Sequence, residues 1–228
     1  MIIKRSIKPS KRSAVSTATI QGLPPITLPR TRFTRGRSIY TALKNRKTVR
    51  SIGIKKISMQ MLSNLLWAAC GVNRKKGPFG VRGRTAASAS NSQEIDLYVA
   101  LAEGVYRYEA SSHKLIFVLG EDLRALAIGP GQGNSGAKAP VRIIYIVNIE
   151  KFGMAGFQEP GLYNPEIQKS YYYVDTGLIA ENVYLFAASQ GLATWFHNCN
   201  RAALAKKLKL RSGQRALFGQ TVGYPGDE

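Results

Sequence analysis

The stretch Tyr171–Trp195, YYYVDTGLIAENVYLFAASQGLATW, is the longest in the chain that reads as one helix. Val174, Leu178 and Leu185 share one stripe, with Ile179, Val183 and Phe186 beside it. From Val183 to Ala188 the pattern is apolar on every side, which a helix tolerates only when protein or lipid surrounds it. That run is far shorter than the roughly 20 residues a bilayer span needs, so lipid is excluded. Asp175, or Asp175 with Thr176, is the expected N-terminal cap, and Gly191 supplies a left-handed stop. The pattern fits a central core helix, and equally a helix buried against a second copy of itself.

Shorter elements flank it. Ser38 is placed to cap a helix carrying Ile39, Ala42 and Leu43, and Ser58 to cap one whose stripe is Leu62, Leu65, Leu66 and Ala69, ended by Gly71. Glu94–Leu101 alternates as a strand, Gly104 turns it into a second over Val105–Glu109, and Leu115–Leu119 predicts a third. Glu121–Ala127 suits a short helix and residues 129–140 a loop. The β-branched run Val141–Ile149 belongs inside a sheet. Residues 151–170 read as a lid-like excursion, Asn200 caps a helix to Leu210, and Ala216–Tyr224 closes the sheet. Without a regular βαβ alternation, the fold class is α+β, with a mixed or antiparallel sheet flanked by helices. Residues 1–37, rich in proline and basic groups, are expected to be an arm or tail, and 38–228 the domain.

Charge changes this picture in one place. The chain of 228 residues has a formal net charge of +20, yet all of it lies in residues 1–93, where 20 Lys and Arg face no acid before Glu94. Such a block either solvates a surface or attracts anions: a phosphorylated cofactor, nucleic acid or an anionic membrane. Cys70 and Cys199 have neither disulfide nor zinc spacing. No apolar signal segment follows the basic start, so a cytoplasmic protein is expected, with an organellar transit peptide as the minor alternative.

Several motifs fail on context. Gly131–Gly136 spells GxGxxG, but Pro140 blocks the helix that must follow and no acid stands about 20 residues on. Two histidines and no GxSxG elbow leave no hydrolytic triad, and no metal set converges. The knot Arg46-Lys47-Thr48-Val49-Arg50 is different, since two guanidiniums, an ammonium and a hydroxyl in one turn suit a phosphate monoester.

In order, the chain carries RKTVR, LSNLLWAACGVNR, RTAASASNSQEIDLYVA, GVYRY, DTGLIAENVYLFAASQGLAT and QTVGYP. Over residues 38–225 it resembles the nitroreductase family of flavoproteins, and within it the branch that includes the azoline-oxidising dehydrogenases. The resemblance implies a homodimer with FMN at the interface and the long helix as dimer core. It implies that Arg46, Thr48 and Arg50, with Lys47 alongside, hold the phosphate and ribityl chain. Ser88, Ala89, Ser90, Asn91 and Gln93 would pass beside the isoalloxazine of the other subunit, and the backbone around His197 and Asn198 would approach flavin N5. Flavin carries the hydride chemistry while the protein orients it, and Lys47 would stabilise negative charge near N1 of the reduced ring. NADH or NADPH would give electrons in ping-pong fashion to a small organic acceptor.

The sequence departs from the family at Ala87, where proline is frequent, at His197-Asn198, and after Pro225, where a basic residue is frequent; weaker FMN binding is the corresponding expectation. An FMN-dependent dehydrogenase of peptide azoline rings is the second enzyme reading. A basic nucleic-acid-binding protein and a redox-silent flavin-binding protein are rivals of other classes. Aromatics are not interleaved with the basic block as a strand-binding groove requires, which counts against the nucleic-acid reading.

Overall fold

The long periodic stretch resolves into two elements of opposite kind. In a computed structural model, which describes residues 23–32, 36–132 and 138–226, helix α3 spans Pro165–Gln190 and strand β8 spans Ala193–His197. Gly191 separates them at φ 71°, a left-handed turn that β-carbon sterics reserve largely for glycine. The helix therefore ends at the expected stop, and ATWFH belongs to the sheet. Its start also differs from expectation: Asn164 is the cap, accepting from the Glu166 and Ile167 amides, with Pro165 at the first helical position. Asp175 and Thr176 lie about three turns inside, buried.

One antiparallel sheet of seven strands carries the fold, in the order β1-β6-β5-β4-β7-β9-β8. These are β1 (Ile26–Thr27), β4 (Ile95–Leu101), β5 (Gly104–Glu109), β6 (Lys114–Leu119), β7 (Val141–Asn148), β8, and β9 (Gln214–Gly223). Every residue of β7 is buried, Arg142 included, which accounts for its apolar run from Ile143 to Val147. Val141, Ile143, Tyr145 and Val147 face helix α2 (Met59–Cys70) and α3, whereas Ile144 and Ile146 face helix α4 (Arg201–Lys207) and the segment 123–127. A separate ribbon, β2 (Val72–Arg74) with β3 (Gly83–Arg84), leads out of α2. Helix α1 (Ile39–Asn45) is capped by Ser38 and α2 by Ser58, as the sequence indicates. Where a helix was expected over 121–127 the chain makes turns, and α4 stops three residues short of Leu210.

Of the expected arm, residues 1–22 and 33–35 lie outside the described residues, as do 133–136 of the rejected glycine motif. Residues 23–32 run along the sheet edge and α2. β1 pairs with β6, and Leu28, 4% exposed, enters the main core, so this part of the arm does supply a core residue. Ser63 Oγ donates to the Pro29 carbonyl (2.6 Å) and so accepts from His113 Nε2 (2.7 Å), whose Nδ1 takes the Tyr108 hydroxyl proton (2.9 Å). Asn64 brackets Arg32, accepting from its N–H (3.0 Å) and donating to its C=O (2.9 Å).

Leu28→Ala should cost about 2–4 kcal/mol of folding stability, the range for a buried leucine, while Leu23→Ala, at a position 62% exposed, should change little. Urea midpoints of the two variants check that residues 23–32 are packed.

Candidate functional site

The basic knot hangs between the end of α1 and the start of β8. The Val49 N–H donates to the Thr194 carbonyl (3.0 Å), adding the knot to the sheet edge. Tyr184 of α3 anchors it further: its hydroxyl accepts from the Phe196 N–H (2.9 Å) and bonds Thr48 Oγ1 (3.1 Å). The Arg46 guanidinium lies 5.4 Å from the centre of the Tyr184 ring and that of Arg50 lies 5.6 Å from Trp195, a cation–π range. Below them opens a cleft of about 470 Å³, walled by Arg37, Lys44, Arg46 and Lys47 on one side and Tyr184, Ala188, Leu192 and Thr194 on the other. No acid lines it, and none of these four cations forms a salt bridge with a described residue. A cationic cleft without internal neutralisation favours a phosphate-bearing ligand.

The serine-rich loop lies elsewhere. Ala89–Asn91 forms a short 3₁₀ turn, and Ser90, Asn91 and Gln93 all hold positive φ (47°, 55° and 52°). Non-glycine residues persist there only when neighbours over-determine them. Here the Gln93 N–H donates to Ser88 Oγ (3.0 Å), Arg84 Nε donates to Gln93 Oε1 (2.7 Å), and Gln93 Nε2 donates to Asn91 Oδ1 (2.9 Å). Two side chains of α3 complete the hold. Asp175 Oδ2 accepts the Ala89 N–H (2.9 Å), and Asn182 Nδ2 donates to the carbonyls of Ala69 (3.2 Å) and Thr85 (3.3 Å).

Nine residues separate Asp175 from Tyr184, which at helical geometry is two and a half turns, or about 14 Å of rise, and opposite sides of α3. One chain thus keeps the knot and the loop apart. Between those two sides runs the stripe foreseen from the sequence. Val174 (59% exposed) and Leu178 (43%) are open to solvent and Leu185 is half-buried, with Ile167 (38%) extending the row.

His197 faces away from the cleft, on the sheet side that packs against Ala127, Ile128 and Ala139. Its Nδ1 donates to the Asn198 carbonyl (2.8 Å) and its Nε2 accepts from Thr221 Oγ1 (2.8 Å). Burial, and then Arg142, hold it neutral, down to about 4. Asn198 is exposed, and its Oδ1 accepts from Arg201. Neither side chain joins the cleft. Tyr184, Arg37, Lys44 and Asp175 escaped the sequence reading; a lone Asp amid the buried positions of an apolar helix is the signal that was available for the last.

Residues 43–224 match the model of the Nitroreductase family. A solved structure named for a nitroreductase of Ralstonia eutropha JMP134 is 32% identical, covering 91% of this chain and 97% of that one, with a TM-score of 0.77. A protein of Methanocaldococcus jannaschii bearing the nitroreductase name is 29% identical over 163 residues, 67% of this chain and 74% of that protein. At 18% identity, a chain of the Escherichia coli microcin synthetase McbBCD complex with truncated pro-MccB17 bound shares the fold over 96% of this chain and 85% of its own, at a TM-score of 0.64. Among the described residues no helix is long and apolar enough to cross a membrane, and no group of His, Cys, Asp and Glu is arranged to hold a metal ion.

Tyr184→Phe leaves the half-buried Phe196 N–H without its acceptor and should cost about 1–3 kcal/mol, the usual penalty of a stranded donor. Thermal unfolding read beside Tyr163→Phe, an exposed position, isolates the effect.

Proposed function

The chain belongs to the nitroreductase family and is an oxidoreductase, and we propose that it works as a homodimer with FMN, taking electrons from NADH or NADPH and passing them to a small organic acceptor. The observation that carries this reading is the unneutralised cationic cleft beside α3, of a donor set that fits a phosphate monoester. In it Arg46 and Lys47, with Arg37 and Lys44 on the same wall, would hold the phosphate, and Thr48 and Arg50 the adjoining chain. When bound, the flavin would supply hydride transfer; the protein supplies placement and field. The cationic wall favours negative charge in the cleft, and the alanines and Leu192 opposite exclude water from it.

The serine-rich loop reaches the same flavin only from a second chain, because it and the knot sit on opposite sides of α3. The apolar stripe lies between them, so a two-fold contact along it sets one chain's cleft against the other's loop. Val174 and Leu178 are more exposed than apolar helix residues of a lone chain would be, and a partner would cover them. The two free cysteines, Cys70 and Cys199, suit a cytoplasmic site of action. A second reading, oxidation of azoline rings in a peptide, draws on the breadth of the fold match to the McbBCD complex and would add partner proteins.

Titration of FMN into the purified protein, followed by flavin fluorescence, tests the assignment. Arg46→Ala should weaken binding by about 1.5–3 kcal/mol, as expected for loss of a charge-assisted hydrogen bond. Lys207→Ala, remote and paired with Glu121, should bind as the parent does. Equal binding by both variants would overturn the phosphate assignment.

Leu178→Lys places a charge on the stripe at a position exposed in the single chain, so the chain should still fold. Sedimentation should show a dimer for the parent and a folded monomer lacking flavin for the variant; a flavin-loaded monomeric parent would sink the two-chain site.

A further inference from the structure

A small cavity of about 200 Å³ lies between the serine-rich loop, β4, β5, α2 and α3. Two carboxyl groups meet at its wall, and the functional reading above leaves them without a role. Glu94 is fully buried at the base of the loop, and Asp175 is 5% exposed inside α3. Glu94 Oε2 accepts the Ser92 hydroxyl proton (2.6 Å), while its Oε1 has no donor at all. A buried carboxylate oxygen without a donor is costly; a carboxylic O–H that gives its own proton to a neighbouring carboxylate is not. Asp175 is that neighbour on the same cavity wall, and it also accepts the Ala89 N–H. Burial, then the charge of Asp175, push Glu94 up to about 8, and burial raises Asp175.

The cations around the pair are otherwise engaged. Lys151 binds Asp96 (2.7 Å) and the Gln93 carbonyl, Arg84 binds Gln93 and the Cys70 carbonyl, and Arg107 pairs with Glu109. Burial keeps the Cys70 thiol and the Tyr108 phenol of the same cavity neutral. Tyr171, a turn before Asp175 on α3, is also raised, through Glu159 first, and stays neutral.

We propose that Glu94 and Asp175 are positioning residues of the flavin site: one proton held between them clasps the 88–93 loop to α3, and its loss lets the loop open. The proposal rests on the reading of that loop as a flavin contact. The three left-handed residues make the consequence specific, because a strained loop relaxes as soon as its ties are cut. The sign follows from linkage. The closed loop holds the Glu94 proton more tightly than an open, solvated one, whose carboxyl titrates near the ordinary value. Opening is therefore disfavoured at low pH and grows as pH rises from the ordinary carboxylate range to about 8, then levels off.

Two readouts separate the clasp from the cofactor assignment. The first is hydrogen exchange at the Ala89 amide in the flavin-free protein, with the base-catalysed trend of a free amide divided out. Protection should fall at least tenfold between pH 6.5 and 9.5 in the parent and stay level in Glu94→Gln, whose side-chain amide donates to Asp175 without titrating. The second is FMN affinity over the same range, which should fall in the parent and not in Glu94→Gln. Asp175→Asn keeps an acceptor for Ala89 and removes the like charge, so its loss of protection should move to lower pH, which gives an independent arm if Glu94→Gln folds poorly. Level protection in the parent, or the same fall in Glu94→Gln, would overturn the clasp. Failure of every variant and the parent to bind FMN would overturn the cofactor reading instead, with Ala89 exchange still deciding the clasp.

Discussion

Asp175, Asn182 and Tyr184 reach out of α3 into segments that have few backbone partners of their own. Through them one helix fixes the loop from Thr85 to Ala89 on one side and the knot with β8 on the other. A polar side chain inside a helix is ordinarily a cost. Each satisfies groups that would otherwise be stranded: Asp175 the Ala89 N–H, Asn182 the Ala69 and Thr85 carbonyls, and Tyr184 the Phe196 N–H and the Thr48 hydroxyl, so removal of the side chain leaves its partners unpaired. The geometry of the whole candidate site is thus referred to a single rigid element, with the sheet as its support.

The sheet supplies that support because both its faces are dry. β7 is buried along its full length, with α2 and α3 packed on one side and α4 with the 123–127 turns on the other. Tyr145 and Gln220 bond across neighbouring strands beneath α3, and Gln220 Nε2 donates to the Ala180 carbonyl (3.3 Å), tying helix to sheet through a polar group in an apolar layer. Such a link fixes the rotation of α3 about its axis, and hence which residues face the cleft and which the loop.

How much of this was legible in the sequence depends on the range of the interaction that decides each part. Caps at Ser38 and Ser58, the stop at Gly191 and the strands from Ile95 to Leu119 are set by neighbours within a few residues, and they stand where the pattern put them. Asn164 was passed over for Asp175 because the choice between two good caps is made by tertiary packing: Asp175 has a partner 86 residues away. Ala193–Trp195 read as helix because its apolar run continues the preceding one, and only pairing with β9 makes it part of a strand. The knot was visible as composition, its cleft was not, since Arg37, Tyr184 and Thr194 come to it from three separate stretches. The orientation of His197 turns on strand alternation, which could be read only once β8 was known to be a strand.

The packing of residues 23–32 bears on the sheet's solubility as well as on its core. β6 carries the run Leu115-Ile116-Phe117-Val118-Leu119 near one edge of the sheet, a composition that readily adds further strands from other molecules. β1 occupies the hydrogen-bonding row at Lys114 and Leu115, the Leu28 N–H donates to the His113 carbonyl (3.2 Å), and Pro29 comes next, without an N–H to offer a further strand. A chain cut after residue 32 would keep its cleft and its loop but bare that row, and would be prone to join edge to edge with its own kind.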